Sequence, residues 1–326
     1  MTAAGHTRQA VALGGGTGLP AVLRCLLERG LDTTAVVTMA DDGGSTGVLR
    51  AQLGMLPPGD VRNCLVAMAE EPEGVLARLF QYRFPAGEGL EGHALGNLVL
   101  AALADMGGSF AGAVEEAAAL LGTRGRVLPC TLDDVVLHAT DAAGRPVRGQ
   151  ANIATSEGAV SRVCMEPEAP EAYAPAIDAI RQADTIVIGP GSLYTSIIPN
   201  FLVPGVTDAV RDSSARRVYV CNVANQRGET QGMDALDHVL ALHAHGLEGL
   251  IDIVIVHVPS SVTSRRAAAV CDDGSPDGVE QVQADAGALE TLRGMGIRVI
   301  ARGLVLDSNP CRHDPGLLCR ALGEVL

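Results

Sequence analysis

"VALGGGTGLP", residues 11–20, carries an apolar run into three glycines, a threonine, a fourth glycine and a second apolar run. The stretch "QAVAL" (9–13) reads as a strand. "LPAVLRCLLERG" (19–30) reads as a helix that ends at Gly30. "TTAVVTMA" (33–40) reads as a second strand. Strand, helix, strand in that order is a βαβ unit, whose two strands pair in parallel.

The same alternation returns later in the chain. Strands are expected at 184–189, 216–223, 251–258 and 298–304, with helices between them and a closing helix at 314–326. A helix opens at Pro58 and Asp60, and 94–122 is helical and Ala-rich. Residues 124–165 lack a helical period and turn at Asp141–Gly144, which predicts an antiparallel β insertion. No internal repeat or long linker is visible, so residues 1–326 read as one domain with that insertion. Residues 259–286, rich in Ser, Asp and Gly, are the expected mobile surface segment.

Composition agrees with a buried parallel sheet. Hydrophobic residues make up 47% of the 326, but aromatics only 2% and Trp is absent, so Val, Ile, Leu and Ala must fill the core. The net charge of −14 argues against nucleic acid as a partner, which needs a concentrated basic surface. The longest apolar run, 250–258, is too short for a bilayer, and the N-terminus lacks a signal-peptide core. A soluble, cytoplasmic protein with no membrane insertion is expected. The eight Cys show no C-x-x-C spacing, so structural zinc is not expected; most read as small buried apolar residues.

In an open parallel sheet, ligands bind outside the carboxyl ends of the strands. Four polar, glycine-rich loops fall there: "GGGTG" (14–18), "DDGGSTG" (41–47), "GPGSLYTS" (189–196) and "NVANQRGETQG" (222–232). "GGGTG" is not a dinucleotide fingerprint, because position 19 is Leu, and it is not a Walker A loop. Gly14, Gly15, Gly16 and Gly18 let a backbone approach an anion at a helix start, and Thr17 adds a hydroxyl. A tight turn with no ligand is the competing reading. Asp41 and Asp42 can hold Mg²⁺ through a phosphate, meet a sugar hydroxyl, or cap a helix. Gly189, Gly191, Ser192 and Thr195 repeat the strand–loop–helix logic. His93 and Asn97 sit beside glycines in a polar loop. Arg312 has a fork suited to a diphosphate, or is a solvated surface residue. No nucleophile elbow, catalytic triad or metal-ligand cluster is visible, so no catalytic residue is assigned.

The motifs "ALGGGTGLPAVLRCL", "VVTMADDGGSTGVLR", "GMLPPGDVRNCLVAMAE", "GHALGNLVLAAL", "GPGSLYTSIIPN" and "NQRGETQG" together resemble the YvcK proteins, or gluconeogenesis factors, of the CofD-like superfamily. The resemblance runs from about residue 10 to the end. It implies a Rossmann-like α/β fold, a mostly parallel sheet with helices on both faces, and binding of UDP-sugars, above all UDP-N-acetylglucosamine. It implies a regulator of cell shape and cell-wall precursor supply during gluconeogenic growth, with no required cofactor. The superfamily alternative is a Mg²⁺-dependent 2-phospho-L-lactate transferase acting on a nucleoside diphospho-substrate. On the UDP-sugar reading the diphosphate lies on the two glycine loops with Arg312, and Asp41, Asp42 or Asn222 meet sugar or uridine hydroxyls. Asn63, within "GDVRN", joins the expected ligand contacts. A protein partner and a homo-oligomer are also expected. Ala94 replaces the Ser common in "GHSLGN", and Arg227 stands where the family usually has Pro.

Overall fold

The computed structural model describes residues 7–141, 143–156, 160–259, 280–306 and 308–326. The opening apolar run becomes β1 (Gln9–Gly14), followed by α1 (Leu19–Glu28) and β2 (Asp32–Val37). β1 and β2 pair in parallel, with Leu13 opposite Val36. Five helices follow: α2 (Gly44–Leu53), α3 (Gly59–Met68), α4 (Val75–Gln81), α5 (Leu95–Gly107) and α6 (Phe110–Leu121). The Ala-rich stretch 94–122 is thus two helices. Gly108 ends α5 in a left-handed conformation, and the Ser109 hydroxyl accepts from Gly112 N to start α6.

The later strands are β3 (Arg126–Pro129), β4 (Val136–Asp141), β5 (Pro146–Arg148), β6 (Val160–Glu166), β7 (Thr185–Ile188), β8 (Arg216–Val220), β9 (Ile253–His257) and β10 (Arg298–Arg302). Seven of them form a parallel sheet in the order β10-β9-β8-β7-β1-β2-β3. β7 and β9 are buried at every position, as unbroken Ile/Val runs require when helices cover the sheet. From β1 the chain builds outward to β3 at one edge. From β7 it builds outward to β10 at the other. The order therefore reverses between neighbours β1 and β7, the position where open α/β sheets bind their ligands.

Residues 126–129 correct the expected boundary of the insertion. They form the parallel edge strand β3, with Leu128 opposite Val36. Val127 and Leu128 are consecutive and both buried, the pattern of a strand covered on two faces. The antiparallel sheet is the smaller set β5-β4-β6, with β4 alternating between buried and more open positions. It also contains a short helix, α7 (Gln150–Ala154).

Within the expected mobile segment 259–286, residues 260–279 lie outside the described residues. The part that follows is anchored: Asn225 N donates to Glu280 O, and Ala224 and Gln281 form a β-bridge. The cysteines follow expectation in part. Cys64, Cys130 and Cys221 are buried thiols, but Cys164 is exposed, and Cys25 on α1 is joined by a disulfide to Cys319 on the last helix, Pro315–Leu322. Their Cα atoms lie 5.3 Å apart because that helix packs on α1. Among the described residues, no helix is long and apolar enough to cross a membrane.

Candidate functional site

The loops after β1 and β7 touch through their backbones. A Cβ on Gly18 would lie 2.7 Å from the Pro190 carbonyl oxygen, and one on Gly191 would lie 3.1 Å from the Gly15 oxygen. Gly16 and Gly189 also take φ of +67° and +73°, which side-chain-bearing residues rarely adopt. Larger residues would push the loops apart. Asn200 Nδ2 supports the first loop from below, donating to Gly14 O at 3.2 Å. α1 begins without a side-chain cap or an acidic residue in its first turn. The amides of Thr17 and Gly18 donate to no group among the described residues. The helix start thus presents free donors beside the second glycine loop, the arrangement that binds anions.

The second loop turns its polar groups inward. Thr195 Oγ1 donates to Glu229 Oε1 at 2.8 Å, and Tyr194 N donates to Glu229 Oε2 at 3.2 Å. Glu229 is 1% exposed, and burial pushes its carboxyl up to about 7. Asn222 Nδ2 donates to Gly191 O at 2.9 Å, while Ser192 Oγ accepts from Gln226 Nε2 at 2.9 Å. The loop 222–232 is therefore a support for the loop 189–196. Thr195, Ser192 and Asn222 act first on the protein itself.

The two acidic residues after β2 have separate roles. Asp42 receives Ala151 N at 2.7 Å and Gln150 N at 3.0 Å, one on each carboxylate oxygen. It caps α7 and so ties the antiparallel sheet to the site edge. Asp41 accepts from Gly43 N at 3.1 Å, and burial raises its carboxyl above the usual range despite that bond and one from Thr46. The charges of Asp42 and Arg50 also act on it, and Asp41 in turn acts on Asp60, at the start of α3. Asp60 lies against Gly15, accepts from the Gly16 amide, and is pushed up to about 7, by desolvation first and then by Asp41. Asp60 reads in the sequence only as a helix opener. Its place beneath the first glycine loop depends on how α3 packs against α1.

Behind this pair lies a polar network. Ser45 Oγ and His93 Nδ1 are 3.0 Å apart, and Asn97 Nδ2 donates to Ser45 Oγ at 3.1 Å. Arg62 donates to Asn97 Oδ1 and to Asn63 Oδ1, each at 2.8 Å. The motifs "DDGGSTG", "GDVRN" and "GHALGN" thus converge where α2, α3 and α5 begin. Ala94 is 1% exposed, so the departure there places a small apolar residue in the interior.

Arg312 is exposed. Its neighbour His313 places this turn at the end of β8, with Nε2 lying 3.1 Å from Cys221 O. Desolvation lowers His313 to about 4, so its ring is neutral near pH 7. No contact among the described residues brings Arg312 to the glycine loops. Among those residues there is also no group of three or more His, Cys, Asp or Glu arranged to hold a metal ion.

Fold and site together define a Rossmann-like α/β protein in which two glycine loops meet at the switch point, with buried carboxyls beside them. The 2-phospho-L-lactate transferase CofD family matches residues 10–305, and the chain belongs to that family. The gluconeogenesis factor of Bacillus subtilis (strain 168) is 41% identical over 326 residues, covering 99% of this chain and 99% of its own length. That of Halalkalibacterium halodurans is 41% identical over 318 residues, covering 97% and 96%. A crystal structure of a UPF0052-family protein from Bacillus halodurans has a TM-score of 0.87 at 42% identity, covering 97% of this chain and 99% of that one. The relationship expected from the motifs, and the α/β fold it implied, are confirmed.

Proposed function

We propose that this protein binds a nucleotide sugar, UDP-N-acetylglucosamine or UDP-glucose, and acts through that binding as a cytoplasmic regulator of cell shape and cell-wall precursor supply during gluconeogenic growth. The observation that carries the binding is the backbone contact of two glycine loops at the β1/β7 switch point, beside the uncapped start of α1. The name gluconeogenesis factor borne by relatives such as that of Bacillus subtilis supports the role. The diphosphate lies on the Thr17 and Gly18 amides, and the uridine and sugar extend to either side. Arg312 closes on the diphosphate from the end of β8. Occupancy alters contact with a protein partner, in a homo-oligomer.

Calorimetry with UDP-N-acetylglucosamine tests the reading. It expects binding heat, weakened by Arg312→Ala. No heat, with protein well above micromolar concentration, sinks it.

The CofD match supports a second reading, a Mg²⁺-dependent transferase acting on a nucleoside diphospho-substrate. The donor set fits such an ion: Mg²⁺ takes one or two carboxylates and completes its shell with water and phosphate oxygens. Asp41 and Asp60 are the pair for it, since Asp42 is occupied in capping α7. When bound, the ion would offset charge on a leaving phosphate. Product formation from a nucleoside diphospho-lactate and a deazaflavin, followed by mass spectrometry, separates the readings. Binding without product leaves the regulator.

A further inference from the structure

We infer that the outer face of α4 is the surface through which two copies of this chain pair, antiparallel and about a two-fold axis. The inference gives a surface to the homo-oligomer of the reading above, and rests on that reading in this respect alone. Ala77 and Phe80 turn from α4 into the protein and are buried. At about 100° per residue, the other apolar side chains of the helix fall on the opposite side. Val75, Leu76 and Leu79 lie there, all exposed, Val75 to 66%, and exposed Tyr82 follows at the end of the helix. Leu120, at the end of α6 and 55% exposed, joins them, because it lines one cavity together with Val75 and Leu76. A surface helix ordinarily turns polar side chains to water. A contiguous apolar patch with a polar rim marks an interaction surface.

The charges select the occupant. Glu70, Glu71 and Glu73 precede α4, while Arg78 and Arg83 lie toward its end and just beyond it, and all five are exposed. Among the described residues Glu71, Glu73 and Arg78 form no ion pair. Arg83 donates to a carbonyl, Gly92 O. The face is thus negative at one end, positive at the other and apolar between. A second copy laid antiparallel across it meets each end with the opposite charge, and two-fold symmetry makes the match twice. Laid parallel, like charges would oppose. With Val75 of one copy against Leu79 of the other, Glu71 stands opposite Arg83. The apolar side chains then supply most of the affinity, and the rim charges set direction and register. The face also adjoins the site. After α4 the chain folds back, Leu95 N donating to Tyr82 O at 2.8 Å and Phe84 N to His93 O at 3.0 Å. His93 is the residue set against Ser45 in the polar network.

Sedimentation equilibrium of the full chain tests the pairing. The parent should be a dimer at about 100 μM. Leu79→Asp should raise the dissociation constant at least about tenfold, with the circular dichroism and thermal unfolding of the parent, because Leu79 is exposed. Arg78→Glu should raise it severalfold, and adding Glu73→Arg to the same chain should recover the loss. Met106→Asp is the control: Met106 is exposed at the far end of α5, whose first turn, at Gly96, packs on Phe80 of α4. It should leave the dimer intact. A monomeric parent overturns the inference, and amide protection at 75–82 in that monomer would mean that this chain covers the face itself. A dimer that persists in folded Leu79→Asp also overturns it, since the copies then meet elsewhere. Equal loss in Met106→Asp would overturn the choice of face, and unchanged association in Arg78→Glu the antiparallel arrangement. Nucleotide-sugar binding is read separately by calorimetry, so its absence leaves the dimer standing, and a monomer that binds the sugar leaves that binding standing.

Discussion

Asn222 and Gly191 hold one another through two hydrogen bonds: the side-chain amide donates to the Gly191 carbonyl at 2.9 Å, and the Gly191 N–H donates back to Oδ1 at 3.4 Å. One side chain at the end of β8 thereby fixes the loop after β7. Asn222→Ala leaves both backbone groups unpaired. It should destabilise the protein by about 1–2 kcal/mol in denaturant unfolding and weaken nucleotide-sugar binding. An unchanged unfolding midpoint would show that the loop is held by other means.

The contact between the glycine loops predicts a contrast between two Gly→Ala substitutions. Gly18→Ala brings a methyl within 2.7 Å of the Pro190 carbonyl oxygen. Such overpacking costs about 1–3 kcal/mol. Gly107→Ala, near the end of α5, meets nothing within 4 Å and has no positive φ. It should be neutral or stabilising by up to about 1 kcal/mol. The unfolding temperature should fall in Gly18→Ala and hold or rise in Gly107→Ala, and a Gly18→Ala protein as stable as the parent would contradict the close approach.

Glu229 predicts a pH dependence of stability. Its folded carboxyl is raised to about 7 from an ordinary 4.5, so the native state holds a proton that the unfolded chain has released. Its contribution is full below about 4.5, falls as pH rises, and is gone above about 7. The loss is on the order of 3 kcal/mol at most. His313, lowered to about 4 from 6.5, has the opposite sign: stability rises with pH between those values. Comparing unfolding of the parent and Glu229→Gln across pH 4 to 8 isolates the first effect. The difference between the two curves should change through that window, and a constant offset would rule out the buried, protonated acid.

Asp42 predicts a local effect. Its two oxygens cap α7, so Asp42→Ala should cost about 1 kcal/mol. The change should appear as faster amide hydrogen exchange at 150–156, with the main sheet unchanged. Equal exchange in parent and variant would remove Asp42 as the tie between the two sheets.

The sheet was legible because most of its strands carry consecutive Val, Ile, Leu or Ala residues and close on glycine or a polar cluster. β3 was not: a strand of four residues carries too little pattern to tell a parallel edge strand from an antiparallel insertion. The site loops were legible from their glycines, which the backbone contact requires. Asp60 and Glu229 were hidden for another reason. Each lies in a motif whose local reading, a helix start and a turn, is also correct. Their burial beside the glycine loops comes from long-range packing of α3 and of the loop 222–232. Asp41 and Asp42 are adjacent in sequence, and only the position of α7 tells the cap from the site carboxyl.

The central claim is that a nucleotide sugar lies on the backbone where β1 and β7 end. Amide hydrogen exchange with and without saturating UDP-N-acetylglucosamine tests it most directly. The account predicts ligand-dependent protection at residues 14–19 and 189–193, lost in Gly18→Ala. Calorimetric binding with exchange unchanged in both loops would contradict it.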